Sequence, residues 1–262
     1  MTDPVALRSA KRVVVKVGSS SISGENAGRI PALVGALAAL HADGVEVVLV
    51  SSGAISTGIP FLALDARPDD LPTQQAAAAV GQNILVNRYQ NSLSEFEIIA
   101  GQVLLTAHDL DNPTPRSNAK RALERLLGLR ILPIVNENDT VATHEIRFGD
   151  NDRLAALVAR LIGADRLVLL SDIDALYTRP PNEAGAERVD TVAFGDELSG
   201  IRIGEAVSGW GTGGALTKVA AARLATEAGT GVILTETTLL TRLIAGERLG
   251  TWFEPRPDSR PE

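Results

Sequence analysis

The stretch Ile131-Leu132-Pro133-Ile134-Val135 is an apolar run that changes abruptly into the polar cluster Asn136-Glu137-Asn138-Asp139. A short apolar run bounded in this way predicts a buried strand of a parallel sheet. A second polar cluster, Gly149-Asp150-Asn151-Asp152, opens a segment whose apolar residues follow helical spacing. A strand end and a helix start that are both rich in Asp and Asn are typical of a polar site at the carboxyl edge of a parallel sheet. Turn and N-cap chemistry would explain either cluster alone, but the presence of both favours a site.

Strands and helices alternate along the remainder of the chain. The sequence predicts further strands at residues 13–17, 45–50, 98–105, 167–170 and 232–235. It predicts helices at residues 30–40, 76–96, 116–127, 152–162 and 215–228. This alternation predicts an α/β fold, a three-layer sandwich in which a mostly parallel central sheet lies between two layers of helices.

Composition limits the class of protein. The 262 residues are 45% hydrophobic, which is enough to build the core of one large α/β domain over residues 1–262. The chain has no apolar run of membrane-spanning length and no signal-peptide pattern near its start, so we expect no membrane contact. It has no cysteine, which excludes disulfides, thiolate catalysis and cysteine-zinc sites and fits a cytoplasmic enzyme. A net charge of −7 and an aromatic content of 3% argue against nucleic-acid binding.

Lys16 lies inside a valine-rich strand, directly before Gly18-Ser19-Ser20-Ser21. A lysine in a run of valines is costly unless its ammonium group emerges at a polar site. The glycine and serines that follow offer N–H groups and hydroxyls to phosphate oxygens. The alternative is an edge-strand lysine that prevents aggregation. The next strand also ends in small residues, Ser51-Ser52-Gly53-Ala54, which either permit close approach of a ligand or form an ordinary tight turn.

A glycine-rich loop, Ser208-Gly209-Trp210-Gly211-Thr212-Gly213-Gly214, precedes a helix whose first turn carries Thr217 and Lys218. The N–H groups and dipole of a helix N-terminus favour an anion, and Lys218 adds a cation beside it. A flexible linker is the alternative explanation. The P-loop does not fit, because it needs a Gly-Lys pair that this chain lacks. Two lysines at glycine-rich anion sites, with aspartates to hold Mg²⁺ or orient the lysines, predict phosphoryl transfer without a P-loop.

Five motifs together resemble the glutamate 5-kinase family, a branch of the amino acid kinase superfamily. They are the Lys16 strand with Gly18-Ser19-Ser20, the turn Ser51-Ser52-Gly53-Ala54-Ile55, the blocks Asn136-Glu137-Asn138-Asp139 and Phe148-Gly149-Asp150-Asn151-Asp152, and Gly211-Thr212-Gly213-Gly214 through Lys218. Other kinases of the superfamily share the lysine strand, whereas the paired acidic blocks are more specific. The resemblance covers residues 11–254 and implies the amino acid kinase fold. It also implies an amino-acid-binding lobe at residues 1–165, a nucleotide-binding lobe at 166–254 and a tail at 255–262.

The resemblance implies a reaction in which ATP and L-glutamate give ADP and γ-L-glutamyl phosphate, the first step of proline biosynthesis, with Mg²⁺ as cofactor. It implies that Lys16 and Lys218 act on the transferring phosphoryl group and that Asp152 positions both lysines. The implied glutamate contacts are Ser52, Asp139 and Asn151, and the implied nucleotide contacts are Lys16, Ser171, Asp172, Thr212, Gly213, Gly214, Ala215, Leu216, Thr217 and Lys218. We also expect a homo-oligomer and feedback inhibition by L-proline. Many family members continue into a PUA domain, which is not expected in residues 1–262.

Three other functions stay open at this point. A kinase for another carboxylate, such as N-acetylglutamate, is the nearest alternative, but acetylglutamate kinases usually have Gly-Gly where this chain has Gly18-Ser19. A catalytically inactive amino-acid sensor is disfavoured, because all the matched charged positions are present. An RNA-binding protein is disfavoured by the negative charge.

Overall fold

A computed structural model describes residues 5–64, 66–142, 151–199, 201 and 214–257. Its strands are β1 (Arg12–Lys16), β2 (Glu46–Val50), β3 (Ala100–Leu105), β4 (Leu132–Glu137), β5 (Arg166–Ser171), β6 (Leu176–Tyr177), β7 (Arg188–Val189), β8 (Thr191–Val192), β9 (Gly231–Glu236) and β10 (Thr251–Phe253). Its helices are α1 (Ser19–Ile22), α2 (Ile30–Ala42), α3 (Ala54–Gly58), α4 (Leu71–Ser94), α5 (Ala107–Asp111), α6 (Pro113–Gly128), α7 (Asn151–Ile162), α8 (Ala215–Glu227) and α9 (Leu240–Ile244). All the predicted strands and long helices are present.

An eight-stranded sheet runs through the molecule in the order β3-β4-β2-β1-β5-β9-β10-β8. Every neighbouring pair is parallel except β9 and β10, which are antiparallel. The prediction of a mostly parallel sheet is therefore confirmed. The four strands before residue 165 form one half of the sheet and the later strands form the other, and the two halves meet where β1 pairs with β5.

Successive side chains of β1 point to opposite faces of the sheet and enter two separate cores. Val13 and Val15 belong to the core that α2, α4 and α9 cover. Val14 belongs to the core that α6, α7 and α8 cover. Because β1 is buried on both faces, it reads as a continuous valine run rather than as an alternating pattern. The two cores make the three layers that the sequence predicted.

The central position of β1 decides between the two explanations of Lys16. The Cα of Lys16 pairs with Val50 of β2 on one side and with Leu169 of β5 on the other. Lys16 is therefore not an edge-strand residue, and its side chain is buried. The carboxyl ends of β1, β2, β4, β5 and β9 lie at one edge of the sheet, because these strands are parallel. Within the described ranges, no helix is long and apolar enough to cross a membrane.

Helices α3 and α4 pack with their backbones in direct contact. A methyl group at Gly81 of α4 would overlap the carbonyl oxygen of Ala54, and one at Gly58 of α3 would overlap the carbonyl oxygen of Ala77. Only hydrogen fits at both positions, so the sequence must supply glycine there despite its low helix propensity. This contact holds α3, and the turn that precedes it, against the long helix α4.

We expect Gly81→Ala to lower the free energy of unfolding by about 1–3 kcal/mol, since the added methyl must displace a backbone. The control is Gly128→Ala in α6, where an added methyl meets no heavy atom within 4 Å. Helix propensity should make that change neutral or stabilising by up to about 1 kcal/mol. Urea unfolding of the three proteins measures both effects. Equal stability of the two variants would contradict the close-contact interpretation.

Candidate active site

A buried carboxylate between two lysine side chains forms the centre of the site. The Lys16 Nζ lies 2.6 Å from Asp152 Oδ1, and the Lys218 Nζ lies 3.1 Å from Asp152 Oδ2. Asp152 is 0% exposed, and the two lysines are 4% and 7% exposed. Each oxygen of one carboxylate therefore faces one ammonium group, and the cluster carries one excess positive charge.

The charges of this cluster fix the ionisation of Asp152. Burial is the largest single effect and opposes ionisation of the carboxyl. The charges and hydrogen bonds of Lys16 and Lys218 together outweigh it, so the pKa of Asp152 lies below its ordinary value. The carboxylate is consequently ionised at neutral pH and is a weaker base than an ordinary aspartate.

Three elements from distant parts of the chain deliver these side chains. Lys16 is the last residue of β1, Asp152 lies in the first turn of α7, and Lys218 lies in the first turn of α8. The Thr217 hydroxyl lies 3.1 Å from Asp152 Oδ2 and 2.9 Å from the Gly214 carbonyl oxygen, so it ties the start of α8 to the carboxylate. The sequence prediction that Asp152 holds both lysines agrees with this geometry. Its alternative, a simple helix cap, does not account for two ion pairs.

Asn151, the first residue of α7, bonds to residues of the first half of the chain. Its Nδ2 lies 2.7 Å from the Ser51 carbonyl oxygen, 2.9 Å from Ser52 Oγ and 2.8 Å from Asn136 Oδ1. The two amide hydrogens are shared among these three acceptors. Ser52, Asn136 and Asn151 thus meet at the ends of β2 and β4 and the start of α7, and the glutamate contacts expected of Ser52 and Asn151 stay a prediction.

Asp139 lies just beyond the end of β4, at the same edge of the sheet. It is partly buried, and it belongs to a turn in which Ala142 N–H donates to the Asn138 carbonyl at 3.1 Å. The Gln75 side chain of α4 donates to the Ala142 carbonyl at 3.2 Å and ties this turn to the helix. The position of Asp139 at this edge is compatible with a contact to glutamate, and that contact stays a prediction.

The candidate nucleotide contacts lie at the ends of β5 and at the start of α8. Ser171 is buried and its hydroxyl donates to Asp172 Oδ1 at 3.0 Å. Gly214 caps α8, and Ala215, Leu216, Thr217 and Lys218 form its first turn, with Leu216 exposed to solvent. Thr212 and Gly213 lie outside the described residues, as do Gly149 and Asp150 of the second acidic block.

Sequence reasoning missed three buried side chains that support the site. Gln82 of α4 accepts a hydrogen bond from Asn136, and Tyr89 of the same helix bonds to Ser51 at 2.9 Å between the hydroxyl oxygens. Burial raises the pKa of Tyr89, so its phenol is neutral. The Thr237 hydroxyl, just after β9, donates to the Ser171 carbonyl oxygen at 3.3 Å and lies 2.9 Å from the Ser21 hydroxyl oxygen.

The described residues do not offer a protein ligand set for a metal ion. Among them, no three His, Asp or Glu side chains come together at metal-binding distances. Both oxygens of Asp152 are paired with lysines. Of the two roles expected of the aspartates, this geometry fits orientation of the lysines for Asp152, and the ligands of Mg²⁺ stay a prediction.

The sequence of this chain matches one protein-family model and is similar to many known proteins. The model of the amino acid kinase family matches residues 11–235. A protein named glutamate 5-kinase from Clavibacter michiganensis is 71% identical over 250 residues, which cover 95% of this chain and 96% of the relative. One of the same name from Leifsonia xyli is 69% identical over 257 residues, covering 98% and 95%. Another from Salinispora arenicola is 54% identical over 253 residues, covering 95% of this chain and 69% of the relative.

Among solved structures, carbamate kinase from Giardia lamblia bound to AMP-PNP has a similar fold. Its TM-score is 0.68, and the match covers 95% of this chain and all of that chain. The sequences are only 15% identical, so the likeness concerns the fold.

The low pKa of Asp152 predicts how its contribution to stability depends on pH. A group whose folded pKa is depressed stabilises the fold fully above its unfolded pKa, about 3.9 for Asp, and loses that effect as the pH falls through the folded value. We therefore expect Asp152→Asn to be less stable than the wild type by a constant amount from pH 7 to about pH 5. The difference should shrink below about pH 4.

Urea unfolding of both proteins at each pH measures this difference. The control is Glu124→Gln, which breaks an exposed ion pair with Lys120 at 3.8 Å and should change stability by less than about 1 kcal/mol. An Asp152→Asn difference that does not change between pH 7 and pH 3 would contradict the lowered pKa assigned to Asp152.

Proposed function

This chain belongs to the amino acid kinase family and, within it, to the glutamate 5-kinases, and on that premise we propose that it transfers the γ-phosphoryl group of ATP to the γ-carboxylate of L-glutamate. The products are ADP and γ-L-glutamyl phosphate, an intermediate of proline biosynthesis. The observation that carries the proposal is the buried Lys16–Asp152–Lys218 cluster beside the Ser52–Asn151 pair.

The proposed reaction needs cations at the site but needs no residue that removes a proton. An oxygen of the γ-carboxylate forms a bond to the γ-phosphorus, and the bond from that phosphorus to the bridging oxygen breaks, so that ADP leaves with the electron pair. The carboxyl group of free glutamate has a pKa near 4.3 and is already ionised at neutral pH, so no residue has to remove a proton. What the reaction needs is charge shielding, because an anion attacks an anion.

Lys16 and Lys218 supply that shielding. Their ammonium groups approach one carboxylate from two elements, the end of β1 and the first turn of α8. Asp152 pairs with both ammonium groups and offsets part of their combined charge, which lowers the cost of burying two cations at one site. We assign Asp152 a positioning role and the lysines direct contact with the transferring phosphoryl group.

Ser171, Asp172 and residues 212–218 are the proposed nucleotide contacts. Magnesium enters with the substrate as MgATP, because Mg²⁺ is commonly held by substrate phosphates and few protein groups. The Ser171 carbonyl is fixed by Thr237, and the first turn of α8 is fixed by Thr217. These bonds support a nucleotide site that spans β5 and α8 in the lobe at residues 166–254.

Ser52, Asp139 and Asn151 are the proposed glutamate contacts in the lobe at residues 1–165. The amide of Asn151 is oriented by donor bonds to Ser51 and Asn136, which leaves its carbonyl oxygen as an acceptor for the substrate's α-ammonium group. Asp139 adds a negative charge at the same edge. The proposed location is the cytoplasm and the proposed assembly is a homo-oligomer.

Release of ADP with different acids tests the proposed function. We expect L-glutamate to drive turnover with MgATP and N-acetylglutamate to give less than about one hundredth of that rate. Acetylation removes the α-ammonium charge, so the acceptors offered by Asp139 and Asn151 lose their partner. Equal turnover of N-acetylglutamate would favour the other carboxylate kinase, and no turnover with any acid would favour an amino-acid sensor.

The lysines are tested by alanine substitution. We expect Lys16→Ala and Lys218→Ala each to lower kcat by about 10²–10³, with a smaller change in the KM for glutamate, because the lost charge acts on the transition state. Lys120→Ala, which removes an exposed lysine of α6, is the control and should keep the wild-type kcat. A Lys218→Ala variant with near-normal kcat would remove Lys218 from the mechanism.

L-Proline is a proposed inhibitor that competes with glutamate. It shares the α-carboxylate and a cationic nitrogen, so the pocket formed by Ser52, Asp139 and Asn151 offers it the same partners. Initial rates at several glutamate concentrations, with and without millimolar proline, measure the competition. We expect proline to raise the apparent KM for glutamate and leave kcat unchanged, and a change in kcat alone would place proline elsewhere.

A further inference from the structure

Helix α4 directs three polar side chains, spaced seven residues apart, at the amino-acid side of the site. Gln75 bonds to the turn after β4, Gln82 bonds to the end of β4, and Tyr89 bonds to the end of β2. Seven residues are close to two helical turns, so such residues share one face of a helix. One face of a single helix therefore contacts each strand end that carries a proposed glutamate contact.

The bond between Gln82 and Asn136 has only one possible direction. The backbone N–H of Glu137 donates to Asn136 Oδ1 at 2.9 Å, which identifies that atom as the oxygen. The other atom of the amide, Nδ2, must therefore donate, and it donates to Gln82 Oε1 at 2.7 Å. Both side chains are buried, at 1% and 8% exposure, so water does not replace this bond.

Asn151 takes its orientation from the same chain of bonds. Its Nδ2 donates to Asn136 Oδ1 and to the Ser51 carbonyl, and both of these atoms can only accept. If Asn136 turned its amide over, two NH₂ groups would face each other. The Glu137 N–H and Asn151 Nδ2 fix the oxygen of Asn136, and Gln82 Oε1 provides the acceptor that the buried Asn136 Nδ2 needs in that orientation.

We propose that Gln82 is a positioning residue for the amino-acid substrate, which holds Asn136, and through it Asn151, in the one orientation that presents the Asn151 carbonyl oxygen to the substrate. The proposal rests on the proposed function, since it assigns a role at the glutamate site. Gln82 itself acts only through Asn136 and does not touch the reacting atoms.

The structure also indicates which substitution should preserve this role. Gln82 Nε2 is buried and has no hydrogen-bond partner among the described residues, so only Oε1 is in use. Gln82→Glu keeps the size and the acceptor oxygen of the side chain. Gln82→Met keeps the approximate size but removes the acceptor, which leaves the buried Nδ2 of Asn136 without a partner.

A glutamine on the same helix provides a matched control. Gln90 accepts a bond from the Ala100 N–H at 2.8 Å and donates to the Ile98 carbonyl at 3.2 Å, at the start of β3. That strand begins at the opposite edge of the sheet from the site, because β3 is parallel to β4. Gln90→Met therefore removes comparable hydrogen bonds from α4 without touching Asn136 or Asn151.

Steady-state kinetics and thermal unfolding of the three variants test the proposal. We expect Gln82→Met to raise the KM for glutamate about tenfold or more, with the KM for ATP within about twofold of wild type. Gln82→Glu should recover most of the glutamate affinity, because a carboxyl oxygen can accept the same bond from Asn136 Nδ2. Gln90→Met should lower the melting temperature and leave the KM for glutamate unchanged.

Two results would overturn the proposal. One is a Gln82→Met variant whose KM for glutamate is unchanged, and the other is a loss of glutamate and ATP affinity in equal proportion. In either case, turnover of glutamate by the wild type would still support the proposed function. Failure of the wild type to release ADP with glutamate would count against that function instead, and the comparison would then use the acid that the wild type does turn over.

Discussion

The ionised carboxylate of Asp152 is the constraint on which the site depends. Two buried ammonium groups at one site repel each other unless a negative charge lies between them. Asp152 prevents this because each of its oxygens faces one lysine. The residue also determines where three elements meet, since β1, α7 and α8 must all end or begin at this carboxylate. The side chain of Asp152 thus serves both the packing of these three elements and the charge balance of the site.

The contacts around the two lysines and the contacts around Asn151 differ in kind. Around Lys16 and Lys218 the contacts are ionic, whereas around Asn151 they are bonds between neutral amides, hydroxyls and backbone groups. A neutral network costs less to desolvate than a set of charges, but its orientation depends on every donor meeting an acceptor. Position is therefore set by charge around Lys16 and Lys218 and by hydrogen-bond direction around Asn151.

Much of this arrangement could be predicted from the sequence, for an identifiable reason. Lys16 and the block around Asp152 interrupt regular patterns, a valine run and an apolar-periodic helix, and a charge in such a place needs a partner. No sequence pattern is interrupted at Gln82, Tyr89 or Thr237. Glutamine and tyrosine are ordinary residues in a helix, and threonine is ordinary after a strand. Their importance arises from which strand ends they reach, and that depends on tertiary packing. Strand β10 was missed for a related reason, since three residues carry too little periodicity to predict a strand.

The single excess positive charge of the cluster stands in contrast to the net charge of −7 of the whole chain. Glutamate and ATP are both anions, so a protein with this net charge repels them at long range. The field of a buried cluster becomes important only within about one Debye length, 8–10 Å at physiological ionic strength. The net charge of the protein therefore opposes the first encounter with these anions, while the cluster favours their final approach. This is the reverse of electrostatic steering. Added salt should weaken the repulsion and speed the capture of both anions, until it also screens the cluster itself.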